Sequence, residues 1–269
     1  MKENQFETIK RLDDNGREYW SSRDLAKVLE YADYRNFSAV IEKAKVACEN
    51  SGVVIHSHFV DATAMIVIGK GAEKQVDTVN LSRYACYLIV QNSDPTKVVV
   101  AKGQTYFAIQ TRRQEASDAL IEDNNRVKLR EEMKKHNTSL VQTAANAGVE
   151  NFAIFQNAGY KGLYGGLTVQ DIHARKKLKK TEKILDHMNS EELAANLFRA
   201  TQTDAKIRRE GIQGQMNANL AHYEVGQKVR NTISSLGGTM PETLPVADNI
   251  GKARTRINKA VKIKKLKDK

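Results

Sequence analysis

Residues 20–31 read WSSRDLAKVLEY, and this stretch marks where a strand passes into a helix. Ser21 suits an N-cap because its hydroxyl can accept a hydrogen bond from a free backbone N–H, and Asp24 follows three residues later, as in a capping box. Apolar residues then recur at helical spacing at Leu25, Val28 and Leu29. The stretch therefore predicts a helix that begins just after Ser21.

Turn and strand signals surround this helix. Residues 5–20 contain Asn15-Gly16, which predicts a tight hairpin turn because both residues tolerate positive φ. A second helix is expected over about 34–48, and two short helices joined by a break resemble a helix-turn-helix outline. Residues 52–80 predict a second hairpin, and a helix is expected over about 81–92. The N-terminal part therefore combines strands and helices.

Prolines are scarce, since the chain has three and none lies between Pro95 and Pro241. Proline breaks helix interiors at a cost of roughly 3 kcal/mol, so this long stretch favours helices. A charged helix is expected from Pro95 past Arg113 to about residue 136. Further helices are expected at 138–147, 170–187, about 191–209 and 222–236. The predicted fold class is α+β, with a mixed N-terminal domain and a mainly helical C-terminal half.

The composition limits the class of protein. The 269 residues carry 43 Lys and Arg against 32 Asp and Glu, a net charge of +11, and 41% are hydrophobic, which argues against wholesale disorder. No apolar run approaches the roughly 18 residues of a membrane span. Cys48 and Cys86 are too few for a secreted disulfide framework, and the N-terminus does not resemble a secretory signal. We expect a basic, cytoplasmic protein.

Much of the surplus charge lies near the C-terminus. Residues 251–269 hold nine cations and one carboxylate, a density that releases counterions when it binds a polyphosphate. Ile250, Ala253 and Ile257 recur at spacings of three and four, so the segment can form an amphipathic helix on an anionic partner. A solubilising, disordered tail and contact with an anionic membrane are the alternatives.

Two further segments carry candidate contacts to DNA. Residues 175–180, RKKLKK, contain no acid, and on a helix they would place 176, 179 and 180 on one face. A phosphate-binding helix and a solvated helix face both fit this pattern. Residues 159–166, GYKGLYGG, combine glycines that admit phosphate to the backbone with tyrosines that can stack on bases. Packing of Leu163 and Tyr164 into the core is the alternative.

Catalytic and metal sites are not recognisable. His56 and His58 share one face of a strand near Asp61, but no cysteine or His-Glu-x-x-His helix accompanies them, so we interpret them as surface histidines. Cys86 lies on the apolar face of a helix, which favours a core position. We expect no enzymatic activity, cofactor or metal. A nuclease site assembled from scattered residues is the less favoured alternative.

Several motifs resemble known families. The stretch WSSRDLAKVLEY is similar to the opening of the Bro-N domain of phage antirepressors and viral Bro proteins, although Glu30 stands where those proteins usually have glycine. Further segments are similar to the DNA-damage-inducible protein D family over roughly residues 5–245. They are SRYACYLIVQN (82–92), NFAIFQN (151–157), GYKGLYGGL (159–167) and LAANLFRATQ (193–202). We therefore divide the chain into a Bro-N-like domain (1–115), a charged helical connector (116–137), a helical C-terminal domain (138–245) and a basic tail (246–269).

The resemblance implies a bacterial protein of the SOS response that is associated with DNA. We expect a non-enzymatic regulator that acts on single-stranded DNA or on the recombinase filament bound to it, and an oligomer is compatible with the sequence. An antirepressor that captures a transcription repressor is the alternative. The residues expected to contact DNA are Arg23, Lys27, Arg35, Arg112, Arg113, Tyr160, Lys161, Tyr164, Arg175, Lys176, Lys177, Lys179, Lys180, Lys252, Arg254, Arg256, Lys259, Lys262, Lys264 and Lys265.

Overall fold

The computed structural model describes residues 5–67 and 71–267. The chain forms two compact units, one up to Gln114 and the other from Glu115 onward. Of the helices in the described ranges, none combines the length and the apolar character that are needed to cross a membrane.

A four-stranded antiparallel sheet and several helices make up the first unit. The strands lie in the order β1-β2-β4-β3. They span Lys10–Leu12 (β1), Glu18–Ser21 (β2), Phe59–Val67 (β3) and Glu73–Leu81 (β4). The helices span Gln5–Thr8 (α1), Ser22–Val28 (α2), Tyr34–Asn50 (α3) and Arg83–Asn92 (α4), and a 3-10 helix covers Ile55–Ser57. Both predicted hairpins are confirmed, since β1 pairs with β2 and β3 with β4, although residues 5–8 are helical.

The sheet and the helices α2 to α4 share one apolar core. Trp20, Leu25 and Phe37 are completely buried in it. The indole of Trp20 stacks on Phe6 with ring centroids 4.7 Å apart, and its Nε1 donates a hydrogen bond to the Phe6 carbonyl oxygen at 2.9 Å. The helix predicted after Ser21 and the second helix predicted over 34–48 are confirmed as α2 and α3.

A left-handed residue forms the break after α2. Glu30 has a φ of +59°, a conformation that costs a non-glycine residue about 1–2 kcal/mol. The Lys97 ammonium donates a hydrogen bond to the Glu30 carbonyl oxygen at 2.7 Å and lies 4.9 Å from the centre of the Tyr31 ring. The backbone therefore keeps the conformation that favours glycine, although the residue is glutamate.

The described part of the second unit is helical. Helix α5, Val98–Asn146, is 49 residues long, begins in the first unit and continues into the second. The helices that follow span Phe152–Leu163 (α6), Val169–Arg175 (α7), Ser190–Glu210 (α8), Gln215–Ser235 (α9) and Ile250–Lys267 (α10). Short 3-10 helices cover Ile184–His187 and Pro241–Thr243. The predicted α+β class is confirmed.

Two helix predictions in this part of the chain were wrong. Residues 98–146 form one helix instead of two, because no glycine or proline interrupts the chain between Gly103 and Gly148. The helix expected at 170–187 ends at Arg175, because Lys177 adopts a left-handed φ of +53°, which a right-handed helix does not accommodate.

The segment 159–166 is also different from the expected loop. Its first residues belong to α6. This helix packs so closely against α9 that a methyl group on Gly162 would collide with the Tyr223 carbonyl oxygen. The glycine is therefore required for helix packing. Leu163 and Tyr164 are buried, which confirms the interpretation that this segment packs into the core.

Candidate nucleic-acid interface

A loop rich in lysine follows α7. The helix ends at Arg175, and the chain runs through residues 176–183 to the next 3-10 helix. The Lys179 amide donates to the Glu182 carboxylate at 2.8 Å, and the His173 Nε2 lies 3.0 Å from the Lys179 carbonyl oxygen and 3.2 Å from that of Glu182. The backbone of the loop is therefore fixed by bonds that do not use its ammonium groups.

Four lysines of this loop are exposed, and we call them the loop lysines. They are Lys177, Lys179, Lys180 and Lys183. Within the described ranges, no Asp or Glu carboxylate lies within ion-pair distance of their ammonium groups. Concentrated charge of one sign attracts an anionic polymer and speeds its association. Of the basic candidates in the described part, these loop residues have the arrangement that best suits contact with phosphates.

Lys176 is buried, unlike the lysine next to it. Its ammonium donates to the Glu192 carboxylate at 2.7 Å, and the two side chains are 6% and 0% exposed. Lys176 therefore binds an internal carboxylate, and the expectation that it contacts phosphate needs correction. The expected helical face of residues 176, 179 and 180 is not formed either, because α7 ends at Arg175.

Lys176 is one end of a polar network in the core of the second unit. The Tyr164 hydroxyl donates to Glu192 at 2.8 Å, and the Asn196 side-chain amide donates to that hydroxyl at 2.8 Å. Asn196 in turn accepts a hydrogen bond from Arg199 at 3.2 Å. Burial raises the pKa of Glu192, while the Lys176 ammonium opposes this change.

Arg199 and His222 form the other end of the network. The Arg199 guanidinium is completely buried, lies 4.6 Å from the centre of the Tyr160 ring and donates to His222 Nε2 at 2.5 Å. His222 Nδ1 lies 2.9 Å from the Phe155 carbonyl oxygen. Burial, and after it the charge of Arg199, hold the pKa of His222 well below its usual range. The ring is therefore neutral and donates through Nδ1.

The two tyrosines expected to stack on bases lie in the core. Tyr160 and Tyr164 are 6% and 1% exposed, because the first covers Arg199 and the second bonds Glu192. Burial raises the pKa of both phenols. Neither ring is accessible to a base, which corrects that expectation, whereas Lys161 between them is exposed.

The basic segment near the C-terminus forms α10, and its first turns pack on the second unit. Ile250 and Ala253 are buried. Arg256 binds the carboxylates of Asp123 and Asp248 at 2.6 and 2.7 Å, and these bonds raise the pKa of Arg256. The amphipathic helix is confirmed, but its apolar residues pack on the protein itself. The disordered alternative does not hold for these turns.

The cations of α10 differ in how far they are neutralised. Arg254 pairs with Glu131 at 2.8 Å on the surface, where both side chains are exposed, whereas Arg256 binds the buried Asp123. In the described ranges, other lysines of α10 are exposed and have no carboxylate within ion-pair distance. They are Lys252, Lys259 and Lys262. The side chains of Lys264 and Lys265 lie outside the part that the structure describes.

The basic candidates of the first unit make contacts within that unit. Arg23 donates to the Asp77 carbonyl oxygen at 2.9 and 2.6 Å, so it joins α2 to β4. Arg35 pairs with Asp33, the N-cap of α3, although its side chain is 91% exposed. The exposed candidates of this unit are Lys27, Arg35, Arg112 and Arg113. They are spread over three helices, α2, α3 and α5, so the unit offers less concentrated charge than the loop lysines.

His58 and Cys86 of the first unit have structural roles, whereas His56 is exposed. His58 Nδ1 lies 2.8 Å from the Ser82 hydroxyl, and its ring packs against Tyr84. Cys86 is completely buried, and burial raises the pKa of its thiol, so the predicted core position is confirmed. Among the described residues, no group of three or more His, Cys, Asp and Glu side chains is placed to hold a metal ion.

Two family models match the chain. The BRO family N-terminal domain matches residues 6–108, and the DinD C-terminal domain matches residues 120–253. DNA damage-inducible protein D of Escherichia coli strain K12 is 57% identical over 248 residues, which cover 89% of this chain and 90% of that protein. The chain belongs to the DNA damage-inducible protein D family. The resemblance inferred from the sequence motifs is confirmed.

Some of the candidate residues lie inside the matched domains and others lie outside them. The DinD C-terminal domain contains the loop lysines and the buried network, whereas Arg256 and the exposed lysines after it lie beyond residue 253. The loop is therefore part of the domain that defines the family.

Sequence reasoning missed Lys183 and the buried network. Asn196 falls in the helical period of Leu193, Ala200 and Ile207, which are all buried. A polar residue inside an apolar stripe was the available signal of a buried hydrogen-bond network. Lys183 was missed because Thr181 and Glu182 separate it from the basic run.

Proposed function

We propose that this protein is a DNA-associated, non-enzymatic regulator of the DNA-damage response, and that it acts on single-stranded DNA or on the recombinase filament formed on it. The name of the Escherichia coli relative associates that protein with DNA damage. The observation that carries the proposal is the set of loop lysines, which are exposed and without carboxylate partners in the described part of the chain.

The loop lysines are suited to phosphates more than to bases. A lysine ammonium is a compact, hydrated point charge, and phosphate contacts position a protein on nucleic acid without reading its sequence. The exposed lysines of α10 add to this charge, since α10 packs against the 3-10 helix that follows the loop. We therefore expect binding that tolerates many sequences and weakens steeply with salt.

The test compares the full chain with a variant in which Lys177, Lys179 and Lys180 are replaced by glutamine. Fluorescence anisotropy with a labelled single strand gives the affinity at several salt concentrations. Each neutralised phosphate of a single strand contributes about 0.7 to the slope of log affinity against log salt. We expect the slope of the variant to be shallower by about 2, because three contacts are lost.

A matched control removes three lysines that already have carboxylate partners. Lys45, Lys135 and Lys206 pair with Glu42, Glu132 and Glu210, and their replacement by glutamine changes the net charge equally. An equal loss of slope in both variants would show that only net charge matters.

The proposal also predicts two effects on DNA metabolism. The wild-type protein should alter strand exchange by a recombinase, and labelled DNA should stay intact when it is incubated with the protein and Mg²⁺ or Mn²⁺. The proposal is refuted if the protein binds neither single- nor double-stranded DNA at about 50 mM salt and leaves strand exchange unchanged. Cleavage of the DNA would contradict its non-enzymatic part.

A further inference from the structure

A pocket of about 390 Å³ lies in the second unit, next to the loop that carries the loop lysines. This volume falls within the roughly 300–1,000 Å³ of typical ligand pockets. Helix α7 forms one wall, and the segment after the 3-10 helix Pro241–Thr243 forms another. The two walls contribute Ile172, Arg175, Lys176, Leu244, Pro245 and Val246.

The cationic side of the pocket has a group available to an anion. Arg175 Nε donates to the Glu242 carbonyl oxygen at 2.9 Å, and in the described ranges no carboxylate lies within ion-pair distance of its guanidinium. The Glu242 carboxylate is already bound by Arg230 at 2.7 and 2.8 Å, which lowers the pKa of Glu242. The terminal nitrogens of Arg175 are therefore available, and a guanidinium can bind phosphate through two parallel hydrogen bonds.

The apolar side of the pocket is exposed to solvent, and hydrogen bonds and an ion pair fix the segment that carries it. Val246 is 49% exposed. The next residue, Ala247, donates its amide to the His187 carbonyl oxygen at 3.1 Å, and Asp248 binds Arg256 at 2.7 Å. These bonds hold the segment in place, so the apolar wall is present before any ligand binds. A planar, partly apolar ring can pack on such a surface.

We propose that this pocket admits one unpaired base of single-stranded DNA while Arg175 binds the adjacent phosphate. This inference rests on the proposed function. The first loop lysine, Lys177, is two residues from Arg175 in the chain, so a DNA backbone attracted to the loop lysines arrives beside the pocket. Extraction of a base from a duplex costs free energy, because the base must first be unpaired and unstacked. The pocket therefore favours single strands over duplex DNA.

The experiment separates the contribution of bases from that of phosphates. It measures the affinity of the full chain for a single strand and for an abasic strand of equal length at the same salt concentration. Stacking of one base contributes about 1–3 kcal/mol, so we expect the wild-type protein to prefer the strand with bases by about 5- to 150-fold. Val246→Trp fills the pocket without a change of charge and should lose most of that preference while it binds the abasic strand normally.

Two further variants control this test. Met216→Trp adds the same side chain at a residue that is 82% exposed and outside the pocket, and it should keep the preference. Val246→Asp leaves the pocket open but puts a carboxylate in place of the apolar side chain on which the base would pack, and it should also lose the preference. It provides the test if Val246→Trp does not give the circular dichroism spectrum of the folded protein.

The outcomes distinguish this inference from the proposed function. Equal affinity of the wild-type protein for both strands, or a preference that persists in the Val246 variants, would overturn the pocket proposal. The proposed function would survive either result, because the loop lysines bind the phosphates of both strands. Failure to bind either strand would refute the proposed function itself.

Discussion

Lys176 and Lys177 are neighbours in the chain but lie in opposite surroundings. Lys176 is buried and bonds Glu192, whereas Lys177 is exposed and has no carboxylate within ion-pair distance in the described ranges. The difference arises where α7 ends, since the left-handed φ of Lys177 directs the chain away from the helix. The backbone that carries a lysine thus decides whether it stabilises the fold or is available to a ligand.

The largest expected effect tests the buried member of this pair. Lys176→Ala leaves the Glu192 carboxylate buried without its cation, and breaking a buried ion pair on one side costs about 3–5 kcal/mol. Lys177→Ala removes a solvated charge and should change stability by less than about 0.5 kcal/mol. Urea denaturation of both variants gives the two free energies of unfolding, and equal losses would contradict the comparison.

A double variant shows whether the uncompensated charge causes that loss. Lys176→Met together with Glu192→Gln removes both charges and keeps an acceptor for the Tyr164 hydroxyl. We expect this protein to be more stable than Lys176→Ala alone, because well-packed neutral groups often replace a buried ion pair at little cost.

The buried network should also make the stability of the protein depend on pH. We expect no such effect from the loop lysines. The pKa of His222 in the folded protein lies well below its usual 6.5. As the pH falls below about 6.5, the unfolded chain takes up a proton that the folded chain does not, so His222 lowers stability by up to about 1.4 kcal/mol per pH unit. Glu192 acts in the opposite sense nearer pH 4.5, because its pKa is raised in the folded protein.

Two measurements check this prediction. The ring-proton NMR shift of His222 should stay constant as the pH is lowered from about 8 to about 5.5, while the free energy of unfolding falls. A His222 shift that titrates near 6.5, the ordinary value for histidine, would show that the network is open to water.

The smallest effect concerns the left-handed residues. Lys177→Gly removes an unfavourable φ and should stabilise the protein by about 0.5–1 kcal/mol, while the salt slope of DNA binding falls by about 0.7. Glu30→Gly, at the other left-handed residue described here, should give a similar gain and leave DNA binding unchanged. Thermal unfolding measures the change in stability, and fluorescence anisotropy measures the change in DNA affinity. Weaker DNA binding by the Glu30 variant would contradict the expectation that only the Lys177 variant loses a DNA contact.

The features predicted from the sequence are those that depend on neighbouring residues. The first hairpin follows from Asn15-Gly16, and α3 follows from apolar residues at spacings of three and four. The burial of Lys176 was not predicted, because it depends on Glu192, sixteen residues away. The helical period of 170–187 also contains no sign that the helix ends at Arg175. Local patterns thus predict elements, but only tertiary contacts decide which cations are neutralised.

The same limit applies to α10. Its helix was predicted from spacing, but the partners of Arg254 and Arg256 are Glu131 and Asp123, which lie 123 and 133 residues earlier. A count of charge over the last residues cannot show that these two arginines are neutralised. The predicted candidates that keep their role in DNA contact therefore include the exposed lysines of α10 and Arg175, Lys177, Lys179 and Lys180, and that role stays a prediction.

The pairing of Asp123 with Arg256 has a consequence for biosynthesis. The first unit has its own core, so it has the contacts it needs once its own residues have been translated. Asp123 and Arg126, only 5% and 3% exposed in the finished protein, lack several of their bonding partners until residues 248 and 256 emerge. A prematurely terminated chain would leave these charges in water within an incomplete unit, open to proteolysis. The ion pairs of Asp123 and Arg126 are thus completed only after residue 256 has been translated.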